Sequence, residues 1–206
     1  AVVTSVIIGL GLGIISALKS DRWPDRLCMF ISTLGITIPS FVISALLIYI
    51  FASKMRILPT TGLDNWKSYI MPVIALAGSS TAFITRLTRS KLIDVMKSDY
   101  IRTAKAKGLS KRTVIFKHAL KNSIIPVVTY LGPLVAGILT GSFVVEKIFS
   151  IPGLGKEFVS NVNTRDYSAL LGVIVFYSVL IVICNLVVDL LYVAIDPRIK
   201  LESNEG

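Results

Sequence analysis

Tyr167-Ser168-Ala169-Leu170-Leu171-Gly172-Val173-Ile174-Val175-Phe176-Tyr177-Ser178-Val179-Leu180-Ile181-Val182-Ile183-Cys184-Asn185-Leu186-Val187-Val188 carries no formal charge. A helix rises ~1.5 Å per residue, so about 20 such residues cross a ~30 Å hydrocarbon core. Four more uncharged stretches precede it, at Ala1–Leu18, Leu27–Ser53, Ser68–Thr85 and Asn122–Val145. The pattern predicts an all-α integral membrane protein with about five spans, at 1–18, 27–53, 68–85, 122–145 and 167–194. The third is polar in its second half, Gly78-Ser79-Ser80-Thr81, which suits helix–helix contact inside a bundle.

Composition agrees. Of 206 residues, 53% are hydrophobic and 17% charged, and the mean hydropathy is +0.75. A soluble domain carries about 25% charged residues. Disordered chains, disulfide scaffolds and ordinary cytosolic enzymes are therefore poor fits. Cys28 and Cys184 lie far apart in apolar runs, without metal-ligand spacing, and read as small packing residues. The chain opens on Ala1 inside an apolar run, with no basic segment before it and no cleavage site after it. It reads as a fragment of a longer protein rather than as one bearing a signal peptide.

Glycine and proline inside the runs have membrane readings. Neighbouring helices can satisfy backbone groups freed by Pro39, Pro72, Pro126 and Pro133, so a kinked span is expected at each. Gly9, Gly11 and Gly13 have a wholly apolar setting and no preceding strand, which argues for close helix packing rather than a nucleotide loop. Gly132, Gly137 and Gly141 read the same way, the last two being four residues apart.

Charge is concentrated at one place. Between Arg86 and Lys121 stand eleven Lys and Arg against two Asp, which is nine of the chain's ten net positive charges. Basic loops are retained in the cytoplasm, so 86–121 and the C-terminus are expected inside, with 54–67 and 146–166 outside. A nucleic-acid reading of this basic loop fails for want of a soluble domain to carry it.

Within the loop, Ser98-Asp99-Tyr100-Ile101-Arg102-Thr103-Ala104-Lys105-Ala106-Lys107-Gly108-Leu109-Ser110 reads as a short helix with both ends marked. Ser98 or Asp99 is the expected N-cap, and Asp99 also suits the positive end of the helix dipole. Lys105 and Lys107 fall in the last turn, Gly108 can adopt the left-handed closing conformation, and Ser110 can cap the next helix. Ile101, Ala104 and Gly108 share one face. A small face ringed by Arg and Lys suits docking into a cleft of a second protein; the alternative is a solvated loop that sets topology and touches anionic lipid.

These residues also carry a resemblance. The loop resembles that of ATP-binding-cassette importer permeases, whose signature is Glu-Ala-Ala, three residues, Gly, nine residues, then Ile-x-Leu-Pro. Ala104, Gly108 and Leu120 match it, whereas Arg102, Thr103, His118 and Lys121 depart from it. The departures are similar to the peptide branch, with Arg-Thr-Ala-x-Ala-Lys-Gly and His-Ala-Leu-x-Asn. Arg86-Leu87-Thr88-Arg89-Ser90, Phe149-Ser150-Ile151-Pro152-Gly153-Leu154-Gly155 and Asp196-Pro197-Arg198 extend the likeness over the whole chain. It is similar to the first permease subunit of the oligopeptide/dipeptide/nickel group.

The resemblance implies a six-helix type I permease lacking its first helix here, paired with a second permease subunit in the lipid bilayer. It implies two cytosolic ATPase subunits, docked through Asp99, Tyr100, Ile101, Arg102, Ala104, Gly108 and Leu109, and an external solute-binding protein. ATP would be bound by those partners, with no cofactor in this chain, which contains no Gly-x-x-x-x-Gly-Lys-[Ser/Thr] loop. The chain would be a non-catalytic subunit of a peptide importer. It also implies that the external segment 146–166, with Pro152, Gly153 and Gly155, closes the outer mouth as a gate.

Two readings compete with an importer. A membrane-embedded enzyme would need paired carboxylates or a nucleophile–base set, and the inner loop offers only Asp94 and Asp99. An ion-coupled transporter or channel would need ionisable residues deep in its spans, where only Asp189 comes close. Asp189 could pair with Arg86 or Arg89, or it could snorkel to the interface. His118 is the only histidine, too few for a metal site, and is expected on the polar face of the helix leading into the fourth span.

Overall fold

A computed structural model describes residues 1–62, 65–139 and 142–195, and, of the side chains after Val187, that of Leu190 alone. The described residues form helices and no strand. The elements are α1 (Val2–Leu18), α2 (Trp23–Thr37), α3 (Ser40–Leu47, continued by a π-helical turn Ile48–Lys54) and α4 (Ile70–Met96, preceded by a 3₁₀ turn Trp66–Tyr69). They continue with α5 (Asp99–Ala106), α6 (Lys111–Thr113), a π-helical turn Val114–Ala119, α7 (Leu120–Ser123) and α8 (Ile125–Leu139). α9 (Phe143–Ile148), α10 (Leu154–Thr164) and α11 (Tyr167–Ile195) complete the order.

α4 is the central post, and small residues decide how closely others approach it. α1 buries Ser5, Gly9, Gly13 and Ser16, all on one face. A Cβ at Gly9 would lie 2.8 Å from the Ile84 Cβ, and one at Gly13 only 2.6 Å from the Thr88 Cβ and 2.8 Å from the Thr85 carbonyl oxygen. α1 and α4 therefore touch backbone to backbone, and Ser5 donates to the Ala77 carbonyl at 3.3 Å. α2 uses the same device: a Cβ at Gly35 would sit 3.1 Å from the Gly78 carbonyl oxygen. Lipid supplies no hydrophobic drive between helices, so close van der Waals contact through small residues holds them. Gly11 and Gly137 have nothing within 4 Å of such a Cβ, so no contact among the described residues requires glycine at either, while Gly141 lies outside those residues.

Two helical stretches that lie wholly among the described residues are long and apolar enough to cross a membrane, Trp66–Met96 and Tyr167–Val187. α2 and α3 reach that test only as a pair, because they meet at 102°. α1 is apolar but has 17 residues. The span expected over 27–53, with its kink at Pro39, is thus bent sharply enough to form two helices. Pro39 disfavours helical geometry at the residue before it, and Ile38 is extended at φ −82°, ψ 120°. α4 runs on past Thr85, through the start of the basic segment at Arg86, to Met96.

α11 lies along α8 and α10, and no residue of Tyr167–Val187 is buried within the chain. Its exposed Leu, Val, Ile and Phe side chains suit hydrocarbon or another membrane helix.

Candidate docking surface on the loop helix

α5 follows α4 after a two-residue link. Ser98 occupies the N-cap position with an extended backbone, but its hydroxyl donates back to the Val95 carbonyl at 2.6 Å instead of accepting from the helix. The other end closes as the sequence predicts. The Gly108 amide donates to the Lys105 carbonyl at 3.0 Å, the Leu109 amide to the Ala104 carbonyl at 3.4 Å, and Gly108 has φ +74°. This is a Schellman closure, which needs a left-handed residue at that place. Nothing lies within 4 Å of a Cβ built there, so a substitution acts through the backbone alone. Gly108→Ala is expected to cost about 1–2 kcal/mol, with Gly108→Asn milder, in thermal unfolding of the purified protein. Equal stability of all three proteins would contradict this account of the turn.

The face of α5 that the sequence assigns to docking points the other way. Ile101 and Ala104 are buried against Leu92 of α4 and against Val114 and Ala119 of the following π turn, with Ile14 and Ala17 of α1 alongside. Both are therefore core residues of this chain. A short amphipathic helix buries its apolar side against whatever lies beneath it, and here the chain itself supplies that surface. Exposed instead are Asp99, Tyr100, Arg102, Thr103, Lys105, Lys107, Gly108 and Leu109. Asp99 and Arg102 form a solvent-facing pair at 3.3 Å, of little energetic weight. The Asn122 amide donates to the Tyr100 hydroxyl at 2.8 Å, tying α5 to α7. Tyr100, Leu109 and Phe116 leave 43%, 40% and 61% of their surface open among these cations, a mixture suited to a protein partner better than to water alone. His118 lies half-buried in the π turn.

Beneath this surface is a polar joint. Arg89 of α4 donates to Asp25 of α2 through Nε and a terminal nitrogen, both at 2.6 Å, a two-pronged guanidinium–carboxylate pair. The Asp21 amide donates to the same carboxylate at 2.8 Å, and the Ser16 hydroxyl of α1 donates to it as well. Asp25 is 2% exposed. Arg86 donates to the Thr33 hydroxyl at 2.6 Å. Arg89 thus has Asp25 where the sequence reading proposes Asp189, whose side chain lies outside the described residues, as do Asp196, Pro197 and Arg198. Asp25 escaped the sequence reading because it stands among the charges of Lys19–Arg26 and is 64 residues from its partner.

At the far end, α9 and the turn after it pack Val145 and Phe149 against Met71 and Ala75 of α4 and against Ile43, Leu47 and Phe51. The Glu146 carboxylate accepts from the Lys156 amide at 2.9 Å, holding the first turn of α10. A Cβ at Gly153 would meet that carboxylate at 2.5 Å, and one at Gly155 would meet the Phe143 amide nitrogen at 2.9 Å. Gly153 and Gly155 therefore allow α10 to dock on α9, with Pro152 exposed beside them.

Residues 9–201 match the family described as binding-protein-dependent transport system inner membrane component. The chain belongs to that family. The dipeptide transport system permease protein DppB of Bacillus subtilis (strain 168) is 51% identical over 203 residues, covering 98% of this chain and 66% of that protein. The glutathione transport system permease protein GsiC of Escherichia coli (strain K12) is 45% identical over 200 residues, covering 97% of this chain and 65% of that protein. The chain therefore spans about two thirds of the length of these curated relatives. Membership of this family makes it an all-helical, multi-pass membrane protein.

Proposed function

We propose that this permease chain is the membrane-spanning subunit of an ATP-driven peptide importer, coupled to a cytosolic ATPase through the exposed face of α5. Family membership and the two named relatives, one a dipeptide and one a glutathione permease, support the transport class and the substrate class. The observation that carries the coupling role is the loop helix itself. It is closed at its C-terminal end by Gly108, buries Ile101 and Ala104 in one cluster with Leu92 of α4 and with Val114 and Ala119, and presents Tyr100, Arg102 and Leu109 outward. A helix held this way passes a push at its surface into that cluster and through Leu92 toward α4.

The basic end faces the cytoplasm, as the positive-inside bias requires, so α9 and α10 stand at the external mouth as a gate-like cover. A second permease subunit completes the pathway, two ATPase subunits bind and hydrolyse ATP, and a solute-binding protein delivers peptide from outside. ATP binding to the ATPase pair favours one conformation of the pathway through differential contacts at α5.

The test is uptake by the full-length protein, reconstituted with those partners in sealed vesicles. Peptide accumulation that requires both ATP and the binding protein, and survives collapse of the proton gradient, is expected. Accumulation that follows the proton gradient without ATP would overturn the proposal.

A further inference from the structure

Beside the break between α2 and α3 lies a cleft of about 250 Å³ lined by Ser40, Ser79, Ser80, Tyr130, Pro133 and Leu134, among others. No charged side chain lines it. Its polar groups are all of one kind. Ser79 and Ser80 are the tenth and eleventh residues of α4, about 15 Å along the helix from its start. Ser80 is only 7% exposed, yet its hydroxyl makes no hydrogen bond among the described residues. Ser40 is the first residue of α3, which runs on through its π turn to Lys54. Pro39 turns the chain so that this helix begins within the span, and its earliest amides have no helical acceptor. A half-helix beginning at membrane depth directs its positive dipole end, and those amides, into whatever space lies there.

From these groups we infer that the cleft is a way-station for the carboxylate end of the transported peptide, with the Ser79 and Ser80 hydroxyls and the start of α3 as its donors. This rests on the importer reading above and adds the part of the substrate that is held. Hydroxyls and a helix N-terminus donate hydrogen bonds to an anion without a fixed cation, so the carboxylate is recognised but not trapped. The remaining lining, Tyr130, Pro133 and Leu134, is apolar or aromatic and accepts varied side chains. The donor set also separates peptide from a transition metal, which calls for imidazole, thiolate or carboxylate ligands. Among the described residues no three His, Cys, Asp or Glu side chains converge on one point.

The complete transporter, with both permeases, both ATPases and the binding protein in proteoliposomes, provides the test, using radiolabelled alanyl-alanine as probe. Ser80→Thr and Ser80→Val add similar bulk and differ in the hydroxyl. Uptake by Ser80→Val is expected to fall about tenfold below that of Ser80→Thr, the loss of one hydrogen bond to a charged group. Equal uptake by the two, whether high or low, would overturn the role of the hydroxyl. As a second reading, Ser79→Cys should be shielded from a membrane-impermeant thiol reagent by alanyl-alanine during turnover, and unchanged labelling would overturn the site. Failure of the parent transporter to take up peptide would overturn the importer reading and the cleft's role together.

Discussion

Arg89→Ala is expected to destabilise the protein by about 3–5 kcal/mol, because it strips the partner from a buried carboxylate. Asp25 is 2% exposed and loses both guanidinium bonds, keeping only the Ser16 hydroxyl and the Asp21 amide. Asp25→Ala should cost less. The stranded Arg89 side chain is already 24% exposed and can carry its charge toward water. Arg89→Lys keeps the charge but loses the two-pronged geometry, so it should fall between parent and Arg89→Ala. The double variant Asp25→Ala/Arg89→Ala should be more stable than Arg89→Ala alone, since no unpaired charge remains. Denaturant titration of the solubilised protein, analysed as a double-mutant cycle, reads these differences. Additive losses in the double variant would show that the two side chains do not depend on one another.

The second large effect is steric. Gly13→Leu is expected to cost about 3 kcal/mol or more, and Gly13→Ala about 1–3 kcal/mol, because even one methyl must force α1 away from α4. The obstacles are the Thr88 Cβ and the Thr85 carbonyl oxygen, both in the wall of α4 rather than at the end of a flexible side chain. Gly11→Ala two residues earlier supplies the control. It meets nothing within 4 Å, so it should be neutral or slightly stabilising as helix propensity improves. Thermal unfolding of the three variants side by side checks the contrast, and matching losses at positions 11 and 13 would contradict the α1–α4 contact.

These two cases show where the sequence is legible. Helical class follows from runs such as Tyr167–Val188, whose composition has one physical solution in lipid. The ends of α5 are also local: Gly108 closes the helix as its position predicts, and Ser110 caps the next one through the Thr113 amide at 3.3 Å. Which glycine packs is not local. Gly9, Gly11 and Gly13 look alike in sequence, and only the placement of α4 separates the buried pair from the exposed one. The inward turn of Ile101 and Ala104 was hidden for the same reason. A face of small residues fits a partner's cleft or the chain's own Val114 and Ala119 equally well until the following turn is placed. Pro39 was readable as a perturbation, but whether it kinks or breaks a span depends on what surrounds Ile38. The Asp25–Arg89 pair joins residues with no spacing rule between them, so no local pattern could reveal it.

The central claim is that the outward face of α5, not its small inward face, meets the ATPase. The most direct measurement is retention of the ATPase subunits by the affinity-purified full-length permease, comparing the parent with Tyr100→Glu/Leu109→Glu. Both positions are exposed, and the one bond lost, from the Asn122 amide to the Tyr100 hydroxyl, is itself solvent-facing, so the fold should be kept. The account predicts retention by the parent and loss of most ATPase from the variant, with unchanged thermal stability. Equal retention by parent and variant, or none by the parent, would contradict it.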